Sequence, residues 1–174
     1  TTLNYTFDKQ LGKITVRAEA SIFPTLLDEM TKLRNYEYLC NEQLASKLKA
    51  LLLEKRVRKY LDQKFTHEKD IAFILKKLQQ HKKPQGTWGW WQYSEEQIWI
   101  SLHVVEALLQ AQKEGYTVDL NKPILQRYLV GKLTDLPTAN DIQIIRLLYL
   151  LDSKNYIKDW VLAYEKHELD LEKK

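Results

Sequence analysis

Apolar residues recur at three- and four-residue intervals over most of this chain, which is the spacing of one helix face. In "SIFPTLLDEMTKL", Leu26, Leu27, Met30 and Leu33 share a face, with Pro24 in the first turn, where proline is tolerated. "NEQLASKLKALLLEKRVRKYLDQ" places Leu44, Leu48, Leu51, Leu52 and Leu61 on a stripe, and "EKDIAFILKKLQQ" does the same with Ile71, Ile74, Leu75 and Leu78. "SEEQIWISLHVVEALLQAQKEG" opens on a capping-box pattern, Ser94 to Gln97, and closes on Gly115. "NKPILQRYLVGKL", "TANDIQIIRLLYLL" and "SKNYIKDWVLAYEKHELDLEKK" continue the helical spacing. The links are short and polar, as antiparallel helix neighbours require.

The start of the chain differs. In "KITVRAEA", Ile14, Val16 and Ala18 alternate with Thr15, Arg17 and Glu19, which is strand spacing. "LNYTF" precedes it, and "DKQLGK" between them reads as a hairpin turn. Two strands alone do not make a stable sheet, so residues 1–20 are expected to be the end of a preceding β domain or strand pair. Residues 21–174 form the helical part. The fold class expected is mainly α, helical hairpins behind a short N-terminal strand pair. Val16, Leu27, Leu48, Leu52, Ile74, Leu78, Val105, Leu108, Ile145 and Leu148 are the expected core.

One link is not a plain polar turn. "HKKPQGTWGWWQYSEE" gathers Trp88, Trp90, Trp91 and Tyr93 around Gly86 and Gly89. Side chains of this bulk bury about 150–250 Å² each. They are expected to fold inward and plug the end of a helical layer, rather than form a stacking platform for sugars or bases. Trp88 and Trp90 are expected against the helix that follows Cys40, or its neighbour.

Composition narrows the class. The 174 residues are 44% hydrophobic and 29% charged, an ordinary globular balance for one domain. The net charge of +4 comes from mixed signs. Its densest basic run, "EKRVRKY" (Glu54 to Tyr60), reads as a solvated helix face, so no nucleic-acid partner is expected. No run of 18 apolar residues is present, so no membrane contact by this segment is expected. One cysteine excludes an internal disulfide and a thiolate-rich metal cluster, and neither metal nor cofactor is expected.

That cysteine, Cys40, stands in "YEYLCNEQLASK", three residues before Gln43 and at the mouth of a helix. Taken alone, it reads as a small buried apolar residue, since unpaired cysteine is among the most buried types. The Cys-x-Glu-Gln spacing and the downstream "G-x-W-G-W" loop between paired helices resemble the bacterial alpha-2-macroglobulin family, in its thioester-containing α/α-toroid domain, which is complement-like. "KITVRAEASIFPTLLDEMTKLRNY" and "WGWWQYSEEQIWISLHVVEALLQAQKEGY" are similar to that family's lead-in and second hairpin, so the resemblance runs to about Tyr116. Other toroid branches fit less well. There is no D-x-D-D proton donor, and Cys40 lacks an Asp and His arranged as zinc partners. The motif departs from the family pattern at Leu39 (commonly glycine), Asn41 (commonly small or apolar) and Glu37 (in place of proline).

The resemblance implies an internal thioester between Cys40 and Gln43, formed as the thiol displaces ammonia from the carboxamide. Asn41 would serve as N-cap, and Glu42 would help the turn or face water. Tyr36, Tyr38, Trp88, Trp90, Trp91 and Tyr93 would shield the electrophile from water. A helix N-terminus favours a departing thiolate. The implied role is single-use covalent capture rather than catalysis. A target protease is trapped through a lysine amine, with the remaining macroglobulin domains as partners, in the periplasm or outside the cell, for host defence or colonisation. A closed toroid needs more hairpins than the chain holds, so residues 21–174 would be the N-terminal part of such a domain and leave an apolar patch around Trp160, Val161 and Tyr164. In complement-like relatives a later histidine turns the thioester toward hydroxyls. The corresponding stretch "LLDSKNYIKDWVLAY" has none.

Two other readings stay open. One is a helical-repeat interaction domain with an inert Cys40. The other is a toroid enzyme with Cys40 as nucleophile and a histidine as base. Of the histidines, His67 and His81 flank a helix and read as solvent-facing, His167 lies in a charged helix, and His103 shares a face with Trp99 and reads as partly buried.

Overall fold

The computed structural model describes Gln10, Gly12, residues 21–133 and residues 141–152, the side chain of residue 142 excepted. Six helices occupy these residues: α1 (Phe23–Arg34), α2 (Asn41–Tyr60), α3 (Glu68–His81), α4 (Ile98–Lys113), α5 (Lys122–Leu133) and α6 (Asp141–Leu151). The mainly α class holds. The N-terminal strand pair with Val16, and the patch at Trp160, Val161 and Tyr164, lie outside the described residues.

Side-chain pairs fix the helix directions. Phe23 packs on Tyr60, and Arg34 reaches Glu54, so α1 runs antiparallel to α2. Lys55 pairs with Glu68 while Asn41 bonds His81, so α3 is antiparallel to α2 as well. Ser46, Lys49 and Arg56 meet His103, Glu106 and Glu114 in the same order, so α2 and α4 run parallel. This parallel pair is the centre of the fold. Helices α1 and α3 flank α2, α6 packs on α4, and α5 packs on α6. Parallel inner helices backed by antiparallel partners make a toroid-like set of helical hairpins.

The centre shows in the burial. Helix α4 is apolar on most of its circumference, and α2 buries residues on several sides, Asn41, Lys47 and Glu54 among them, which is how a helix reads when neighbours pack around it. Leu44, Leu48, Leu51, Leu52, Ile100, Val104, Val105 and Leu108 are buried, joined by Ile74 and Leu78 from α3 and by Leu147 and Leu148 from α6. Of the expected core, Leu27 and Ile145 are only half-buried; α1, which carries Leu27, packs chiefly on α2. Leu33, expected on the buried face of α1, is 48% exposed.

Two local expectations change. Helix α4 begins at Ile98, with Gln97 at its N-cap and no side-chain cap, so the Ser94–Gln97 capping box does not form. Ser94 instead bonds both the N–H and the carbonyl of Trp91, closing the turn between them. Gly115 does end α4 as expected, with a left-handed φ of +89° that favours glycine. The basic run of α2 is ion-paired rather than uniformly solvated. Glu54 is buried between Arg34 and Arg58, Lys55 meets Glu68, and Arg56 meets Glu114. Among the described residues no helix is long and apolar enough to cross a membrane.

Candidate functional site

The start of α2 carries the site. Cys40 sits at the N-cap in extended conformation, φ −67° and ψ 161°, and its carbonyl accepts the first helical bond from the Leu44 N–H at 2.9 Å. Its side chain is buried, only 3% exposed. Asn41, expected as the N-cap, is the first residue inside the helix. Its amide is used otherwise. Nδ2 donates to the Gly89 carbonyl at 2.9 Å, and Oδ1 accepts from His81 Nδ1 at 2.8 Å. Its backbone N–H donates to the Trp90 carbonyl at 2.9 Å. A fully buried asparagine whose polar groups all meet partners is a rigid joint between three segments. It pins the Cys40 turn to the tryptophan loop and to the end of α3.

The loop is shaped for that joint. A Cβ on Gly89 would stand 1.9 Å from the Glu95 carbonyl oxygen, so only glycine lets the two loop strands meet at the Gly89–Glu96 bridge. Gly86 has a φ of +86°, which turns the chain back from α3. Trp88 is fully buried, and its indole N–H donates to the Leu78 carbonyl at 2.8 Å. Ser101 of α4 accepts from the Trp88 N–H and donates to its carbonyl.

The other aromatics do not fold inward. Trp90 is 44% exposed and stands edge-on to Trp99, with ring centres 5.2 Å apart. Trp91 and Tyr93 are exposed, as are Tyr36 and Tyr38, which pack on each other. The loop is held by hydrogen bonds through its backbone and by one buried ring. That leaves its remaining rings at the surface.

Gln43 lies one turn into α2, beside a cavity of about 220 Å³ lined with Leu33, Tyr36, Glu42, Ser46 and Lys47. Its Oε1 is buried and has no hydrogen-bond partner among the described residues. Such an orphan costs on the order of 1–3 kcal/mol, so it calls for an explanation. Lys47 is 8% exposed, and its Nζ donates to the Tyr36 carbonyl. Burial holds its ammonium below the ordinary lysine range.

A polar chain runs beside this cavity. An ammonium only donates, so Lys49 Nζ, 3.1 Å from His103 Nδ1, makes that nitrogen the acceptor. His103 Nε2–H then donates to Ser46 Oγ at 2.9 Å, and Ser46 donates to Glu42 Oε1 at 3.0 Å. Burial, and secondly the Lys49 charge, hold His103 below its usual range, consistent with this neutral ring. His103 is therefore a donor toward Ser46, not a base. His103 is partly buried as expected. His81, expected to face solvent, is half-buried through its bond to Asn41, and burial followed by the Lys77 charge lowers it too. His67 lies half-buried at the start of α3, and His167 is outside the described residues. Among the described residues no group of three metal-ligating side chains gathers.

Sequence reading found Cys40, Gln43 and the loop but not the roles of His81, Ser46 and Lys47. The spacing signal was there: residues 42, 43, 46 and 47 share one side of the first turns of α2. The partners from α3 and α4 come only with the fold.

No protein-family model and no solved structure match this chain. Among curated proteins it is similar to an alpha-2-macroglobulin of Thermotoga maritima, 28% identical over 112 residues. The match covers 64% of this chain but only 7% of that protein, so the chain spans a small part of the relative's length.

Proposed function

We propose that this chain is part of an alpha-2-macroglobulin-like protease inhibitor, in the region that would carry an internal thioester between Cys40 and Gln43. One observation carries the reading: a buried thiol at the N-cap of α2 stands three residues before a glutamine whose buried carbonyl oxygen has no partner among the described residues. The distant likeness to the Thermotoga maritima protein supports it. In the thioester, Cys40 Sγ bonds to Gln43 Cδ, the C–N bond breaks, and ammonia leaves with the thiol proton. A lysine amine of a protease that has cut the full protein elsewhere then attacks Cδ. The C–S bond breaks, an amide forms, and the thiolate takes up the proton. The capture happens once per molecule.

The full protein would act in the periplasm or outside the cell, with target proteases and its own remaining macroglobulin domains as partners. The stretch 150–164 has no histidine. An alcohol attacking Gln43 Cδ would lack a base from that stretch, whereas the neutral fraction of an amine needs less help. Transfer to methylamine should therefore exceed transfer to glycerol.

The deciding measurement is intact mass. The wild-type chain should fall short of its encoded mass by one ammonia, and both Cys40→Ala and Gln43→Met should abolish the deficit. A wild-type chain at full encoded mass, with one titratable thiol after denaturation, would instead leave Cys40 as a packing residue of a helical interaction domain. The burial of Cys40 also suits that second reading.

A further inference from the structure

Lys47 is an unusual lysine. Lys49 and Lys55 of the same helix each meet a carboxylate, Glu106 and Glu68. Lys47 is more buried than either, yet among the described residues no carboxylate pairs with it. Its one hydrogen bond goes to the Tyr36 carbonyl, in the segment leading into α2. Lysine is almost never buried without a counter-charge, because desolvation penalises the ammonium.

Gln43 is its complement. The two residues are four apart on α2, which sets their Cβ atoms about 5–6 Å from each other on one face. Helical side chains lean toward the preceding turn, and Lys47 does so to reach Tyr36. Both line the same cavity, which leaves room for the amine to swing. One wall thus holds an acyl carbon whose oxygen lacks a partner among the described residues. The same wall holds an amine whose charged form is disfavoured.

We infer that Lys47 is the internal acyl acceptor of Gln43, so that an acyl group activated at Gln43 Cδ passes to Lys47 Nζ and leaves an isopeptide bridge along one face of α2. This inference rests on the thioester reading above. The lone pair of Nζ attacks Cδ, the C–S bond to Cys40 breaks, and the departing thiolate takes the proton that Nζ loses. The products are a secondary amide and a Cys40 thiol, with no oxidant and no further ammonia released. The hydrogen bond to Tyr36 is the restraint that the transfer must break. A domain activated with no outside amine in reach silences itself by this route, and an outside lysine must compete with Lys47 for the same carbon.

Thioester and isopeptide forms have the same mass, each one ammonia short, so intact mass does not separate them. The test is a peptide map of the full chain stored without added amine, read by tandem mass spectrometry, with thiol titration after denaturation. The expected result is ammonia loss, a growing Gln43–Lys47 cross-linked peptide, and a Cys40 thiol that appears in step with it. Lys47→Arg keeps the charge and the donors but cannot be acylated. It should keep the ammonia deficit, leave the thiol blocked, and take up several-fold more methylamine at Gln43. Should that variant fail to fold, the wild-type map decides alone. Ammonia loss with a blocked thiol and no 43–47 link after prolonged storage overturns the inference and leaves the thioester reading standing. A wild-type chain that loses no ammonia overturns both.

Discussion

Asn41 and Gln43 are two amides in the first turn of one helix, and they are treated in opposite ways. Asn41 is fully buried, and its side chain and backbone N–H meet Gly89, His81 and Trp90. Gln43 lies beside a cavity with a buried oxygen that no described residue satisfies. The first is a joint that holds the turn. The second is a group that the fold stabilises poorly in its encoded form. Replacing the Gln43 amide by a thioester would remove its N–H donors and leave a weaker acceptor, so the cavity penalises the product less than the starting carboxamide. The same helix entrance thus holds one amide with every polar group partnered and, two residues on, one whose oxygen has no partner among the described residues.

This contrast breaks most visibly at Trp88, the buried ring beneath the joint. Trp88→Ala should cost about 3–5 kcal/mol in a denaturant titration, against about 0.5–1.5 kcal/mol for Trp90→Ala, whose ring has Trp99 as its aromatic partner. Equal losses would mean that the loop is held by its exposed rings and not through Trp88.

Asn41→Ala should follow, at about 2 kcal/mol or more, since it strips partners from the Gly89 carbonyl and the His81 N–H, each at no less than about 1 kcal/mol. A loss below about 1 kcal/mol would show that water or a shifted loop replaces the joint.

A smaller effect is expected from acid. Burial lowers both His81 and His103 in the folded chain. Between each folded value and about 6.5, the unfolded chain binds more protons. Their stabilising contribution is therefore complete above about pH 6.5 and is lost as pH falls from there toward the folded values. The denaturation midpoint should drop between pH 7 and pH 5, and His81→Gln, which keeps a donor for Asn41, should drop less.

The smallest change in stability is expected at Gln43. Gln43→Met removes the orphaned oxygen at similar volume and should be neutral or stabilising by about 1 kcal/mol. The same variant should lose all methylamine incorporation. A strongly destabilised Gln43→Met would place Gln43 with Asn41 as a structural amide and remove the contrast.

Helix periodicity already marked the six described helices, the buried faces of α2, α3 and α4, and the pairing of a cysteine with a glutamine at a helix start. These features were legible because they depend on spacing along the chain: a 3.6-residue repeat puts residues on one face wherever the helix ends up. The burial of Trp88 was legible from its size, but the exposure of Trp90, Trp91 and Tyr93 was not. A loop has no repeat that says which rings turn inward, and here the Trp88–Ser101 and Trp88–Leu78 bonds select one. Glu54 and His81 misled for a related reason. Their chemistry reads as solvent-facing until Arg34, Arg58 and Asn41 arrive from other segments to satisfy them. Asn41 read as a cap because its type favours that position, yet contacts with residues 48 positions away claimed its amide. What the sequence determined by itself was which residues share a helix face. What only the tertiary structure decided was which polar groups found partners across elements and which, like Gln43 Oε1, have none among the described residues, because hydrogen-bond satisfaction depends on packing between segments far apart in the chain.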